Sequence, residues 1–184
     1  VNPALFILMG FIFLGAFFYS VPPVRLVESG YGELTTSTVV ASLVPAFAFM
    51  LQTGELHRIV AMSTFPLIAL HFAMMLIFEL PDYANDMKFE KLTLMVRIGW
   101  EKSILIHNIL ILVAYLLIGL ALLFGYPSSV GVPALLALPL GLFQIWYVNR
   151  IAMGAKPNWN LLGLLAILVF GVTTYLLTFS FWTQ

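Results

Sequence analysis

The sequence predicts an all-α integral membrane protein, folded as a bundle of transmembrane helices. Of its 184 residues, 62% are hydrophobic and 9% are charged, and the mean hydropathy is +1.05. A soluble domain carries roughly 25% charged residues. Six apolar runs also reach or approach the roughly 20 residues that a helix needs to cross a bilayer. These runs lack strand-like alternation, and open sheets do not survive in lipid, so we expect one helical domain over residues 1–184.

Polar, Gly-marked or Pro-marked breaks separate the six runs. The chain contains no cysteine, which excludes disulfides, thiolate catalysis and cysteine-ligated metal sites. Its formal net charge is zero, so we expect a lipid bilayer and no nucleic acid as partner. The predicted spans are residues 4–20, 36–51, 59–80, 104–124, 133–148 and 161–182.

The distribution of basic residues predicts how the chain is oriented. The chain has eight Lys and Arg residues, and all except Arg58 fall in loops on one side of the predicted bundle. Cytoplasmic loops carry an excess of Lys and Arg. We therefore expect the highly charged side to face the cytoplasm, and both chain ends, including Gln184, to face outward from an inner or plasma membrane.

The segment 80–99 is polar and lies between long apolar runs, so it is the first candidate for a functional site. Asp82 and Asp86 are four residues apart, so both would project from one face if the preceding helix continued through them. Two such carboxylates repel each other unless a cation or a proton lies between them. Mg²⁺ binds through one or two carboxylates and completes its shell with water and phosphate oxygens. A solvated acidic helix end is the simpler alternative, which the pair alone does not exclude.

The first predicted loop supplies a second candidate region. A Pro-Pro pair at 22–23 ends the first helix, because proline lacks the helical N–H donor and restricts the residue before it. Tyr19 and Ser20 then lie at a helix end, with Arg25 just beyond. We expect these three to share a cavity wall with Asp82. An interfacial aromatic residue followed by an ordinary turn is the alternative.

Two stretches together resemble one protein family. PDYANDMKFEKLTLMVRIG (81–99) resembles the second aspartate-rich motif of the UbiA superfamily of intramembrane prenyltransferases, D-x-x-x-D followed by G-K-x-T-L-x-V-R-L-G. FYSVPPVRLVESGYGEL (18–34) resembles an earlier segment of the same family, and its G-x-G-E ending is similar to the branch that prenylates dihydroxynaphthoate for menaquinone. One position departs from the motif, since Glu90 stands where the family usually has Gly. Its additional carboxylate is expected to weaken diphosphate binding.

The resemblance implies a fold of about nine transmembrane helices, with aspartate motifs after the second and the sixth. The six predicted spans then correspond to the last six. We expect the chain to lack the N-terminal part that carries the first motif, N-D-x-x-D-x-x-x-D.

The implied reaction moves a polyprenyl group from its diphosphate to an aromatic quinone precursor similar to dihydroxynaphthoate. Mg²⁺ would be held by Asp82 and Asp86 and would neutralise the leaving diphosphate. Lys91 and Arg97 would stabilise the same charge, and the ring of Tyr19 would face the allylic cation. The remaining expected substrate-binding residues are Ser20, Arg25, Tyr83 and Lys88.

Two readings of other classes stay open at this stage. One is a non-catalytic UbiA-like subunit that packs against partner subunits of a larger membrane complex, for example an energy-transducing one. The other is a transporter, although transporter sites usually lie at mid-membrane broken helices, whereas these charges gather at one surface. For His71, in mid-span, a hydrogen-bonded interior role is preferred to haem or pigment ligation.

Overall fold

Six long apolar helices cross the structure, a computed structural model that describes residues 2–183. Each contains most of one predicted span, and no strand occurs within the described range, so the all-α bundle is confirmed. Most ends lie a few residues beyond the predicted ones. The helices are α1 (Pro3–Ser20), α2 (Gly32–Thr53), α3 (Arg58–Glu79), α4 (Trp100–Leu123), α5 (Ser128–Ala152) and α6 (Trp159–Trp182).

Local side-chain chemistry sets several helix starts. The Asn2 side chain accepts a hydrogen bond from the N–H of Ala4, and the Asn158 side chain accepts one from Leu161. Such caps satisfy donors that have no partner inside the helix. The α5 span is interrupted at residues 136–137, and Pro139 lies in the first turn of its second segment, where proline is tolerated.

The centre of the bundle is α3, which packs against α2, α4 and α6. The core beside it includes fully buried alanines on neighbouring spans, Ala114 and Ala134, together with Leu70 of α3. Small residues let membrane helices approach closely, which increases van der Waals contact where no water is displaced. By contrast, α1 has no buried residue within the described chain.

One span departs from regular α-helical geometry. Residues Val39–Leu43 of α2 form a π-helical turn. Just before the turn, Ser37 Oγ lies 2.9 Å from His71 Nδ1, and within the turn Ser42 donates to Thr64 Oγ1 at 3.2 Å. His71 is thus a hydrogen-bonded interior residue, and α2 is joined to α3 both before and within the turn.

The polar loops at one end of the bundle contain the predicted site. Loop A (residues 21–31) joins α1 to α2, and loop B (residues 80–99) joins α3 to α4. Loop B holds two short helices, Tyr83–Lys88 and Leu94–Ile98. The predicted outer location of Gln184 falls outside the described residues, and the membrane orientation of the loops stays a prediction.

The helix α3 does not continue through the two aspartates. The helix ends at Glu79, because Pro81 lacks the N–H that another turn would require. The chain turns there, and Asp82 precedes a new short helix in which the N–H of Asp86 donates to the Asp82 carbonyl at 2.8 Å. The two carboxylates are still one turn apart, but on a separate element.

Candidate functional site

A cavity of about 190 Å³ lies where the ends of α1, α2 and α3 meet loop B. Apolar atoms of Met75 and Phe78 form part of its wall. Its lining also contains four acidic side chains, one lysine and one tyrosine, from segments far apart in the sequence. These residues are Tyr19, Glu33, Glu79, Asp82, Asp86 and Lys91.

Loop B contributes a carboxylate and an ammonium group that form a pair. Lys91 Nζ lies 3.4 Å from Asp86, and the Lys91 N–H also donates to the Asp86 carbonyl at 2.9 Å. Asp86 is 9% exposed, whereas the Lys91 side chain is 46% exposed. The lysine therefore neutralises the more buried aspartate while keeping part of its surface accessible. Asp82 is exposed at the same rim.

Two further carboxylates in the cavity were not predicted as site residues. Glu33 is 3% exposed, and its Oε1 accepts a hydrogen bond from the N–H of Leu94 at 3.1 Å. Glu79 lines the same cavity as Glu33. Within residues 2–183, the Oε2 atom of each meets no donor. Because both groups are acceptors when ionised, their approach is favourable only with a proton or a cation between them.

The sequence contained a feature that could have identified Glu33 and Glu79 as site residues. Glu33 stands at the start of one apolar span and Glu79 at the end of another, and acids that adjoin a membrane span are costly unless they have a task. Neither acid was among the residues predicted for the site.

Of the residues predicted from loop A and the end of α1, Tyr19 lines the cavity, whereas Ser20 and Arg25 lie outside its lining. Ser20 is exposed. Arg25 forms an ion pair with Glu28 at 2.7 Å, three residues further along the loop. The shared wall that we expected therefore includes Tyr19 alone of the three.

Three residues predicted from loop B also lie outside the lining. Tyr83 packs against Trp100 with ring centroids 6.1 Å apart. Lys88 lies over the ring of Phe89, with 5.7 Å between Nζ and the centroid.

Arg97, the third, donates to the carbonyl of Ser29 in loop A, and its guanidinium carbon lies 5.4 Å from the Tyr31 ring centroid. The structure thus places Arg97 between the two loops and not in the cavity.

Tyr19 also lines an apolar groove of about 260 Å³. The groove runs between α1 and α2 and has small residues, Gly15 and Ala16, on one wall and Val39 and Val40 on the other. Tyr19 is therefore common to the linings of the cavity and of the groove.

The carboxylates that line the cavity are ligands of the kind that Mg²⁺ takes. Among residues 2–183, no three His, Asp or Glu side chains are grouped closely enough to form a metal site by themselves. Mg²⁺ does not require such a group, because it usually takes one or two carboxylates and fills its other positions with water and phosphate oxygens. Asp82 and Asp86 supply two carboxylates, and the unpartnered oxygens of Glu33 and Glu79 make the cavity favourable for a cation.

Comparison with known proteins gives one match. The model of the UbiA prenyltransferase family matches residues 1–162, a stretch that contains both loops and the whole cavity lining. No curated protein and no solved structure matches the chain.

Proposed function

Because this chain belongs to the UbiA prenyltransferase family, we propose that it moves a polyprenyl group from its diphosphate to an aromatic quinone precursor similar to dihydroxynaphthoate. The family and the six spans identify an integral membrane protein whose relatives transfer prenyl groups. The observation that carries the proposal is the cavity that joins Asp82, Asp86 and Lys91 beside an apolar groove.

The polar cavity is proposed to bind the diphosphate. Bound through Asp82 and Asp86, Mg²⁺ would neutralise the negative charge that develops on the leaving diphosphate. Lys91 has three N–H donors and is half-exposed, so it can donate to a phosphate oxygen while it stays close to Asp86. The four surrounding carboxylates would repel a bare diphosphate, which is why a cation is part of the proposal.

The apolar side is proposed to protect the allylic cation. The Tyr19 ring lies at the boundary between the cavity and the groove, where its face can stabilise a cation formed as the diphosphate leaves. The apolar lining of the groove excludes water, which would otherwise capture that cation. The choice of a dihydroxynaphthoate-like acceptor rests on the G-x-G-E sequence of residues 30–33.

The test is transfer of a radiolabelled polyprenyl group to dihydroxynaphthoate by the full-length protein in nanodiscs, with Mg²⁺ and with a chelator. We expect Mg²⁺-dependent formation of a labelled, lipid-soluble aromatic product. Failure to prenylate any of several aromatic acceptors, with the protein folded, would overturn the proposal. Co-purification of the inactive protein with other membrane subunits would then identify the alternative, a UbiA-like subunit of a larger complex.

A further inference from the structure

Two polar contacts, called ties below, join loop A and the start of α2 to loop B. In the first, Glu33 accepts from the N–H of Leu94 at 3.1 Å. In the second, Arg97 donates to the Ser29 carbonyl and covers the ring of Tyr31. The tied residues are more than 60 positions apart in the chain, so no local helical contact explains them.

We propose that Glu33 and Arg97 are positioning residues, which hold loop B so that Lys91 faces the cavity. The kinetic part of this inference rests on the proposed prenyl transfer. Its structural part does not, because the two ties exist independently of any substrate.

The first tie acts on a backbone group that has no helical partner. Leu94 is the first residue of the helix Leu94–Ile98, and the first four N–H groups of a helix find no acceptor within it. Thr93, the capping residue before it, already accepts from Val96 through its side chain. The Glu33 carboxylate therefore fixes the start of this helix, three residues after Lys91.

The second tie depends on a glycine. Gly30 has φ of +75°, a conformation that disfavours side chains, and a Cβ built there would run into the Arg97 side chain. The close approach of loop A to Arg97 thus requires glycine at position 30. Gly30→Ala is expected to displace Arg97 without altering any ionisable group.

Hydrogen exchange of the full-length protein, followed by mass spectrometry, tests the structural part without turnover. Removing a hydrogen bond to a charged group should speed exchange in the peptide 89–97 roughly 10- to 100-fold in Glu33→Ala. Glu33→Gln keeps a carbonyl oxygen that can accept from Leu94, so its exchange should stay near wild type. Unchanged exchange in both Glu33→Ala and Gly30→Ala would overturn the proposal.

Kinetics then separate positioning from direct participation. If Glu33 acts through loop B, Glu33→Gln, which loses the charge but keeps an acceptor for the N–H of Leu94, should be less damaging than Glu33→Ala. Gly30→Ala should also lower the activity, and the double variant of Glu33→Ala and Gly30→Ala should be less damaging than the product of the two single effects. If Glu33→Gln is as inactive as Glu33→Ala while its exchange is normal, the carboxylate itself takes part and the positioning role is wrong. An inactive wild type with the expected exchange pattern would overturn only the proposed reaction.

Discussion

Lys91 Nζ lies at the same distance, 3.4 Å, from both carboxylate oxygens of Asp86. The ammonium group therefore interacts with both carboxylate oxygens and not with one of them alone. In the proposed function, Lys91 would donate to a phosphate oxygen while it stays close to Asp86. The first two predictions test the two sides of this pair.

Replacing either aspartate of loop B by its amide should abolish most turnover. We expect Asp82→Asn and Asp86→Asn to lower kcat on the order of 100- to 1000-fold, the usual effect of removing a comparable electrostatic contact in a transition state. Asp86→Glu keeps the charge with a different reach and should be intermediate. Glu101→Gln, an exposed carboxylate at the start of α4, is the matched control. Chelator-resistant, near-normal activity in Asp82→Asn would exclude a metal role.

The two neighbouring lysines should differ in importance. Lys91 lines the cavity, whereas Lys88 lies over Phe89 at the surface. Lys91→Gln should lower kcat/KM roughly 10- to 100-fold, the cost of losing a hydrogen bond to a charged group. Lys88→Gln should stay within about fivefold of wild type, because exposed charges contribute little. Equal losses in the two variants would contradict the placement of the diphosphate.

The ring of Tyr19 should matter more than its hydroxyl. Tyr19→Phe keeps the aromatic face at the boundary of cavity and groove, so its kcat should remain near wild type. Tyr19→Leu removes the face and should lower kcat roughly 3- to 30-fold, the range for one cation–π contact. The assay is single-turnover prenyl transfer. A loss in Tyr19→Phe that matches Tyr19→Leu would show that the hydroxyl acts instead.

Glu90 should be replaceable by the glycine of the family motif with a gain in stability. Its φ is +54°, a left-handed conformation that costs a residue with a side chain roughly 1–2 kcal/mol. Part of this gain is offset by the larger freedom of glycine in the unfolded chain, so we expect Glu90→Gly to be about 0.5–1 kcal/mol more stable. Thermal unfolding in detergent measures the change. Glu90→Gln, which removes only the charge, should leave stability unchanged, and equal stabilisation by both would contradict the backbone explanation.

The orientation of the bundle can be read by labelling. Residues 1–184 contain no cysteine, so a single cysteine introduced at an exposed position is a unique target among them. A membrane-impermeant maleimide added to intact cells should label Glu55→Cys, beyond the end of α2, and leave Glu90→Cys unlabelled until the membrane is opened. The reverse pattern would overturn the cytoplasmic assignment of loop B.

The sequence allowed the spans to be predicted closely, because length and hydropathy constrain a membrane helix more than any tertiary contact does. It also placed Tyr19, Asp82, Asp86 and Lys91 in one site, although about 60 residues separate the first from the others. All four adjoin helix ends on the same side of the bundle, and the positions of those helix ends can be predicted from the sequence alone.

The direction in which each loop side chain points could not be predicted from the sequence. Arg97 was expected in the site on charge alone, yet its guanidinium finds a backbone carbonyl in the other loop. Ser20, Arg25, Tyr83 and Lys88 lie near the cavity in sequence, but none lines it. Which face a loop residue presents depends on contacts with a segment far away in the chain, and neither periodicity nor composition records those contacts.

The π-helical turn Val39–Leu43 takes up one residue more than a regular α-helix would. In a regular α-helix, residues five apart point about 140° away from each other. Ser37 and Ser42 nevertheless both reach α3, because the wider turn, which includes Ser42, brings their directions together. Deleting one residue from this turn would leave the two serines four residues apart, which is about 40° in a regular α-helix, so both could still face α3. Deleting a residue elsewhere in α2 would rotate the two halves of the helix against each other by about 100°, so a shorter chain should be accommodated in this turn more readily than in the rest of the span.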